Sequence, residues 1–333
     1  MTDAVTRATP ASRIAGIAAL VRLAMLIAAP WWGSSATLRL IGEIAVYLAL
    51  ASLWNLLAGY TGLVSVGEQT YVGLGGYVLF SSAQFLGLHP LVSIPLAGLI
   101  CALVAVPVAA LVFRLQGAYF AIGTWVVAEV FRLTAAQVTA LGGGSGASLP
   151  AAVTAQPGGK AAREASIYWA ALALGAGCLA LVYLLLRSRI GLALTAIRDS
   201  EVASSSLGVP IARVKFGVYI MVAGLTGMVG ALIFLQKLRI SPDAAFSVND
   251  WTAFVIFIVV IGGIGTIEGP IIGTLVYFLL RGFLAGYGTV YLLFLGVLAI
   301  VTMLVAPKGL WGTVAARYRL ALFPVGYRIT WRG

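Results

Sequence analysis

The chain has 333 residues, of which 61% are apolar and only 9% charged, and its net charge is +11. Soluble domains carry about 25% charged residues, so this composition, with a mean hydropathy of +1.05, excludes an ordinary soluble fold. Only helices and closed barrels satisfy their backbone hydrogen bonds in lipid, and repeated apolar runs near 20 residues exclude a barrel. The expected class is an all-α polytopic membrane protein.

In chain order the apolar runs predict about ten transmembrane helices, over 14–30, 38–58, 62–86, 90–113, 117–137, 166–186, 212–236, 251–266, 269–285 and 289–306. The first run is interrupted by Arg22 and is read as a retained span, because no small-residue cleavage site follows it. The third is unusual: Gly62 to Gly76 reads GLVSVGEQTYVGLGG, with Gly62, Gly67, Gly73, Gly75 and Gly76 around Glu68 and Gln69. A uniform lipid-facing helix is not built this way. Broken or re-entrant helices are, where they line a protein-enclosed cavity. Span five carries Glu129 and Arg132 at i,i+3 near one end. Between spans five and six, 140–165 is rich in Gly, Ser and Pro and reads as an irregular loop joining two halves of five spans. The halves show no convincing sequence repeat.

Between spans six and seven comes a polar island, 187–211, with Arg187, Arg189, Arg198, Asp199, Glu201 and, just beyond, Arg213 and Lys215. It must lie outside the bilayer. Arg189 to Ser206 can form one helix ended near Gly208 and Pro210, on which Arg198 and Glu201 share a face. Ala193, Ala196 and Ile197 give it a small apolar stripe, suited to a groove on a partner. The bland alternative is a solvated interfacial helix. A second glycine break, Gly262 to Pro270, includes Gly263, Gly265 and Gly269 and separates spans eight and nine. Its Glu268 reads as part of a turn at the cytoplasmic surface. A basic tail, 307–333, closes the chain.

An even number of spans puts both termini on one side. With the N-terminus cytoplasmic, 13 of the 21 Lys and Arg residues fall inside and seven outside, with Arg22 within a span. This is the positive-inside bias, and it explains the net charge without nucleic acid. Cys101 and Cys178 both fall in spans and read as small core residues. His89 precedes Pro90 and reads as a loop residue. Trp31, Trp32, Trp251 and Trp311 fall near span ends, where interfacial anchors sit. No GxxxxGK[ST] phosphate loop occurs, so ATP hydrolysis is not expected of this chain. No residue pattern spaced for a metal or for a catalytic constellation is evident.

Five segments together resemble a known family: LWNLLAGYTGLVSVGEQTYVGLGGY at 53–77, LQGAYFAIGTWVVAEVFRL at 115–133, RIGLALTAIRDSEVASSSLGVPIARVKF at 189–216, GGIGTIEGPIIG at 262–273 and APKGLWG at 306–312. They resemble the LivM-type permease subunits of bacterial ABC importers for branched-chain amino acids. The resemblance implies a single transmembrane permease domain over 1–333, in the bacterial inner membrane with both termini cytoplasmic. It implies a LivH-type second permease, two ATP-binding subunits that hold ATP and Mg, and an extracytoplasmic substrate-binding protein. No cofactor on this chain is implied. It makes 187–211 the cytoplasmic coupling loop, with Arg189, Gly191, Ala196, Arg198, Asp199, Glu201, Leu207 and Gly208 as ATPase-coupling residues. The family commonly carries a histidine where Glu68 stands here, and related transporters carry urea or short amides.

Glu68, Gln69, Glu129 and Arg132 are the candidates for the translocation path or a gate. A charge at a helix centre costs about 2.5–3.5 kcal/mol on insertion scales, so Glu129 and Arg132 can equally be a structural ion pair. Glu68 and Gln69 can equally satisfy backbone donors freed by the broken helix. An ion-coupled secondary transporter or channel is the rival class, because midplane polar residues and broken helices suit it too.

Overall fold

A computed structural model of the chain describes residues 4–6, 10–150, 159–287, 290–318, 322–325 and 328–330. Of the features expected above, residues 151–158 of the loop and Arg7, Arg319 and Arg332 lie outside the described residues. The rest is almost wholly helical. The helices are α1 (Pro10–Ile27), α2 (Ser35–Leu56), α3 (Glu68–Phe85), α4 (Pro90–Val112), α5 (Ala118–Gln137) and α6 (Gly159–Leu186). Two short helices follow, α7 (Arg189–Asp199) and α8 (Glu201–Ser206), then α9 (Ile211–Lys237) and α10 (Pro242–Ala245). The chain closes with α11 (Phe254–Gly262), α12 (Glu268–Leu284), α13 (Val290–Val305) and α14 (Gly309–Tyr318).

Among the described residues, eight helices are long and apolar enough to cross a membrane. The other two expected spans correspond to α3, which has 18 residues with Glu68, Gln69 and Thr70 in its first turn, and α12, which has 17. α3 is an inner element of the bundle, whereas α12 buries one face and leaves Leu275, Leu279 and Phe283 exposed on the other. The chain is thus an all-α polytopic membrane protein.

α2 and α9 form the buried centre, whereas α1, α5 and α13 present most of their apolar surface outward, as lipid-facing spans do. α9 packs along α3 and α4, α2 along α6, and α11 along α12. Small residues set these distances. A Cβ on Gly75 of α3 would stand 2.0 Å from the Gly227 carbonyl oxygen of α9, and one on Gly262 would stand 1.9 Å from that of Gly269. Helices without a hydrophobic driving force between them gain from such backbone approach.

The first glycine break is real. α2 continues through a wider turn, Leu57–Thr61, that ends at Gly62 with φ +72°. Residues 63–67 are then irregular, and α3 starts only at Glu68. Backbone groups in that stretch are paired by side chains: Trp54 Nε1 donates to the Ser65 carbonyl at 2.8 Å, and the Val66 amide donates to Thr124 Oγ1 at 3.0 Å. The donors freed by the break are met by Thr124 and Ser65, not by Glu68.

Several expectations are corrected. Of the loop expected over 140–165, residues 159–165 are the first turns of α6, because Ala-rich sequence with Lys160, Arg163 and Glu164 extends the helix beyond its apolar part. Ala147–Ser148 of the same loop pairs antiparallel with Arg239–Ile240. Trp251 and Trp311 are buried rather than interfacial, while Trp31 and Trp32 are exposed. Cys101 and Cys178, by contrast, are free and buried, as read from sequence. His89 caps α4, its Nδ1 accepting from the Leu91 amide at 3.3 Å. At the termini, Ala4–Thr6 pairs antiparallel with Arg328–Thr330, which brings both ends of the chain to one face.

Candidate functional site

Three groups of candidate residues are held at three heights by the same helices. α9 has 27 residues, which at 1.5 Å per residue spans about 40 Å. Its N-terminal end stands beside α7 and α8, its middle carries Thr226, and its C-terminal end carries Lys237.

At the first end, Arg189 to Ser206 is two helices, not one. Ser188 caps α7, accepting from the Ile190 amide at 3.2 Å, and Ser200 caps α8, accepting from Ala203 at 3.2 Å. Ser200 is extended (φ −164°, ψ 113°), so the chain turns between Asp199 and Glu201. Arg198 and Glu201 therefore do not share a helix face. Arg198 Nε bonds Asp199 at 3.2 Å and its guanidinium stands 5.7 Å from the centre of the Tyr60 ring, while Glu201 pairs with Lys215 of α9.

The apolar stripe expected to meet a partner is also turned around. Gly191, Leu194 and Ile197 are buried against the chain's own membrane bundle, with Ala193 and Ala196 half-buried beside them. Gly191 is forced: a Cβ there would stand 2.1 Å from the Leu186 carbonyl oxygen. What remains free is the outer surface, with Arg189, Arg198, Asp199, Glu201 and Gly208 exposed around two apolar side chains, Val202 and Leu207, that are 80% and 82% exposed.

The seat of this segment connects to both glycine breaks. Tyr60, under Arg198, belongs to the wide turn at the end of α2. In the same turn, Gly59 abuts Gly265 closely enough that a Cβ would stand 2.6 Å from its nitrogen. Asn55 clasps this second break from two sides, donating to the Thr266 carbonyl at 2.8 Å and accepting from the Gly265 amide at 2.7 Å. Glu268 is not a surface turn residue. It is buried and accepts from the Leu322 and Phe323 amides of the tail at 3.1 and 2.9 Å.

In the middle, Glu68 and Gln69 are 4% and 0% exposed. Glu68 accepts from Thr226 Oγ1 at 3.5 Å, which places the carboxyl near mid-height of α9. Gln69 Oε1 accepts from Thr252, and among the described residues its Nε2 has no hydrogen-bond partner. Tyr71, one turn from Glu68 along α3, donates to Tyr219, about two turns from Thr226 along α9, at 3.0 Å. The broken helix thus carries a polar lane through an apolar core.

At the far end, Glu129 and Arg132 pair at 2.6 Å, and Arg132 also bonds Asp243 of α10 at 2.6 Å. This ties α5 to α10 near the surface. Neither residue lines the cavity at that end.

That cavity, of about 760 Å³, was not foreseen from sequence. It is enclosed by the C-terminal end of α9 and the ends of α2, α6 and α12, with Asp250 and Trp251 from the approach to α11. Two ion pairs fix its wall, Arg39–Glu164 at 2.7 Å and Arg281–Glu43 at 2.5 Å. Trp251 contributes to the lining, and its neighbour Thr252 is the partner of Gln69, so the cavity and the buried polar lane meet within one residue. The signal available in sequence was the set of charges at span ends, but nothing in it says which ends converge.

The family model for the branched-chain amino acid transport system permease component matches residues 36–306. The chain belongs to this permease family. Among curated proteins it is 28% identical over 311 residues to the high-affinity branched-chain amino acid transport system permease protein LivM of Escherichia coli K12, covering 86% of this chain and 73% of the relative. The protein of the same description from Salmonella typhimurium is 27% identical with the same coverage. No solved structure gives a significant match. The matched range contains both glycine breaks, the polar island and the residues that line the cavity, and excludes all of α1, α14 and the tail of the permease.

Proposed function

We propose that this chain is the permease subunit of an ATP-driven ABC importer for branched-chain amino acids, in a bacterial inner membrane with both termini cytoplasmic. The partners are a second permease, two ATP-binding subunits and an extracytoplasmic binding protein. This chain supplies the path and the coupling, and the free energy of ATP is used on the partner subunits. The relatives' descriptions support the substrate, and the pairing of the two termini on one face supports the even topology.

The observation that carries the reading is the segment α7–α8. A capped, buried-backed helix pair outside the bilayer has no purpose in a lipid-only setting, yet it presents Val202 and Leu207 with a fringe of mixed charge. That is the form of a helical element entering a groove. A push there reaches α2 through Arg198 and Tyr60, and reaches α11 and α12 through Gly59, Gly265 and Asn55.

The test is copurification. Leu207→Glu combined with Val202→Glu is expected to abolish recovery of the ATPase subunits, with the chain still inserted and monodisperse. Undiminished ATPase recovery with the double variant would assign docking elsewhere.

A further inference from the structure

Resting on that reading, we infer that the 760 Å³ cavity at the end of the bundle opposite α7–α8 is a binding site for a free zwitterionic amino acid within this single chain. Its volume falls in the usual range for small-molecule sites, about 300–1,000 Å³, and its chemistry selects among small molecules.

Four of its charges are spent on each other, in the pairs Arg39–Glu164 and Arg281–Glu43. Two are not. Lys237 and Asp250 both line the cavity and feel each other's charge, but among the described residues neither makes an ion pair. Lys237 instead stands over the Trp251 ring at 4.7 Å from its centre. An ammonium and a carboxylate left open in one cavity are the complement of one carboxylate and one ammonium on a ligand. Hydrogen bonds between charged groups are the strong class.

The remaining wall is aromatic. Tyr47 and Tyr277 lie with ring centres 5.5 Å apart, and Phe254 packs on Tyr277 at 5.3 Å. These rings offer an apolar surface for a branched aliphatic side chain. Arg163 adds one more positive group to the lining, so a simple anion is the competing occupant. The site is positioned to hand its ligand inward, because Trp251 of the wall adjoins Thr252, which bonds Gln69 beside Glu68.

The experiment measures binding of tritiated L-leucine to the full chain, purified in mild detergent with the subunits that accompany it. Asp250→Asn and Lys237→Gln are each expected to weaken binding by about tenfold or more, the loss of one charge-assisted hydrogen bond. The charge-preserving Asp250→Glu and Lys237→Arg retain most of it, which separates loss of charge from loss of fold. Arg239→Gln, on the same face but outside the cavity, leaves binding unchanged. Leucinamide and 4-methylpentanoate, each lacking one of the two charges, compete about tenfold or more less well than leucine.

Wild-type leucine affinity in both neutralised variants overturns the site, as does absence of leucine binding. Competition by 4-methylpentanoate equal to that of leucine overturns it in favour of an anion site. ATP-driven leucine uptake by the assembled transporter, measured in parallel, separates the two failures. Uptake with no contribution from Lys237 or Asp250 sinks the cavity alone, and absence of uptake sinks the transport reading.

Discussion

Glu68 shows what a residue can and cannot disclose by itself. An intramembrane carboxyl in a glycine-rich break is conspicuous in sequence, because burying it is costly unless it is used or satisfied. Its partner Thr226 is 158 residues away and Gln69's partner Thr252 is 183 away, so the polar lane they form is not readable along the chain. We expect Glu68→Gln to fold and assemble normally, since the amide keeps the shape and can still accept from Thr226, while leucine uptake falls severalfold. Uptake at the wild-type rate would show that the carboxylate is structural. Glycine makes a sharper case at this scale. Gly75→Ala sets a methyl 2.0 Å from the Gly227 carbonyl oxygen, whereas Gly177→Ala on α6 meets nothing within 4 Å. Overpacking of this kind costs about 1–3 kcal/mol. The Gly75 variant is expected to lower the melting temperature in detergent and the Gly177 variant to leave it unchanged.

At the scale of elements, the polar segment α7–α8 was legible in extent but not in shape. Its limits follow from charge alone, since Arg187 to Pro210 cannot enter lipid. Its break was signalled by Ser200 ahead of Glu201, an N-cap pattern, yet with no Gly or Pro between Leu192 and Ser206 the run also reads as one amphipathic helix. Which face turns inward was undecidable for a similar reason. The stripe of Leu194 and Ile197 suits a partner's groove and the chain's own bundle equally, and the covalent links to α6 and α9 decide in favour of the bundle. Removing the cap by Ser200→Ala is expected to cost α8 about 1 kcal/mol, read as faster amide exchange confined to residues 201–208. Gly191→Val is expected to lift α7 off its seat. The ATPase subunits then still bind, but ATP hydrolysis no longer drives uptake. Coupled uptake in that variant would show that the Gly191 contact does not transmit force.

At the scale of the whole molecule, the fold class followed from composition, while the cavity did not. Five separate stretches, around residues 39, 164, 237, 250 and 281, supply its charged lining. Each in isolation resembles an ordinary basic or acidic residue at a span end, and only the packing of α2 between α6, α9 and α12 brings them together. The same packing sets the exposed α7–α8 surface at one end of α9 and the cavity at the other. On the proposed reading, the permease has its coupling surface and its ligand site about 40 Å apart along α9. The most direct test of that arrangement is leucine uptake into proteoliposomes made from the complex purified in mild detergent. The account predicts that ATPase subunits and a second permease accompany the chain, and that leucine accumulates only when ATP is supplied to the face bearing Val202 and Leu207. Recovery of the chain alone, moving leucine without ATP, would contradict it and make this protein a secondary transporter or channel.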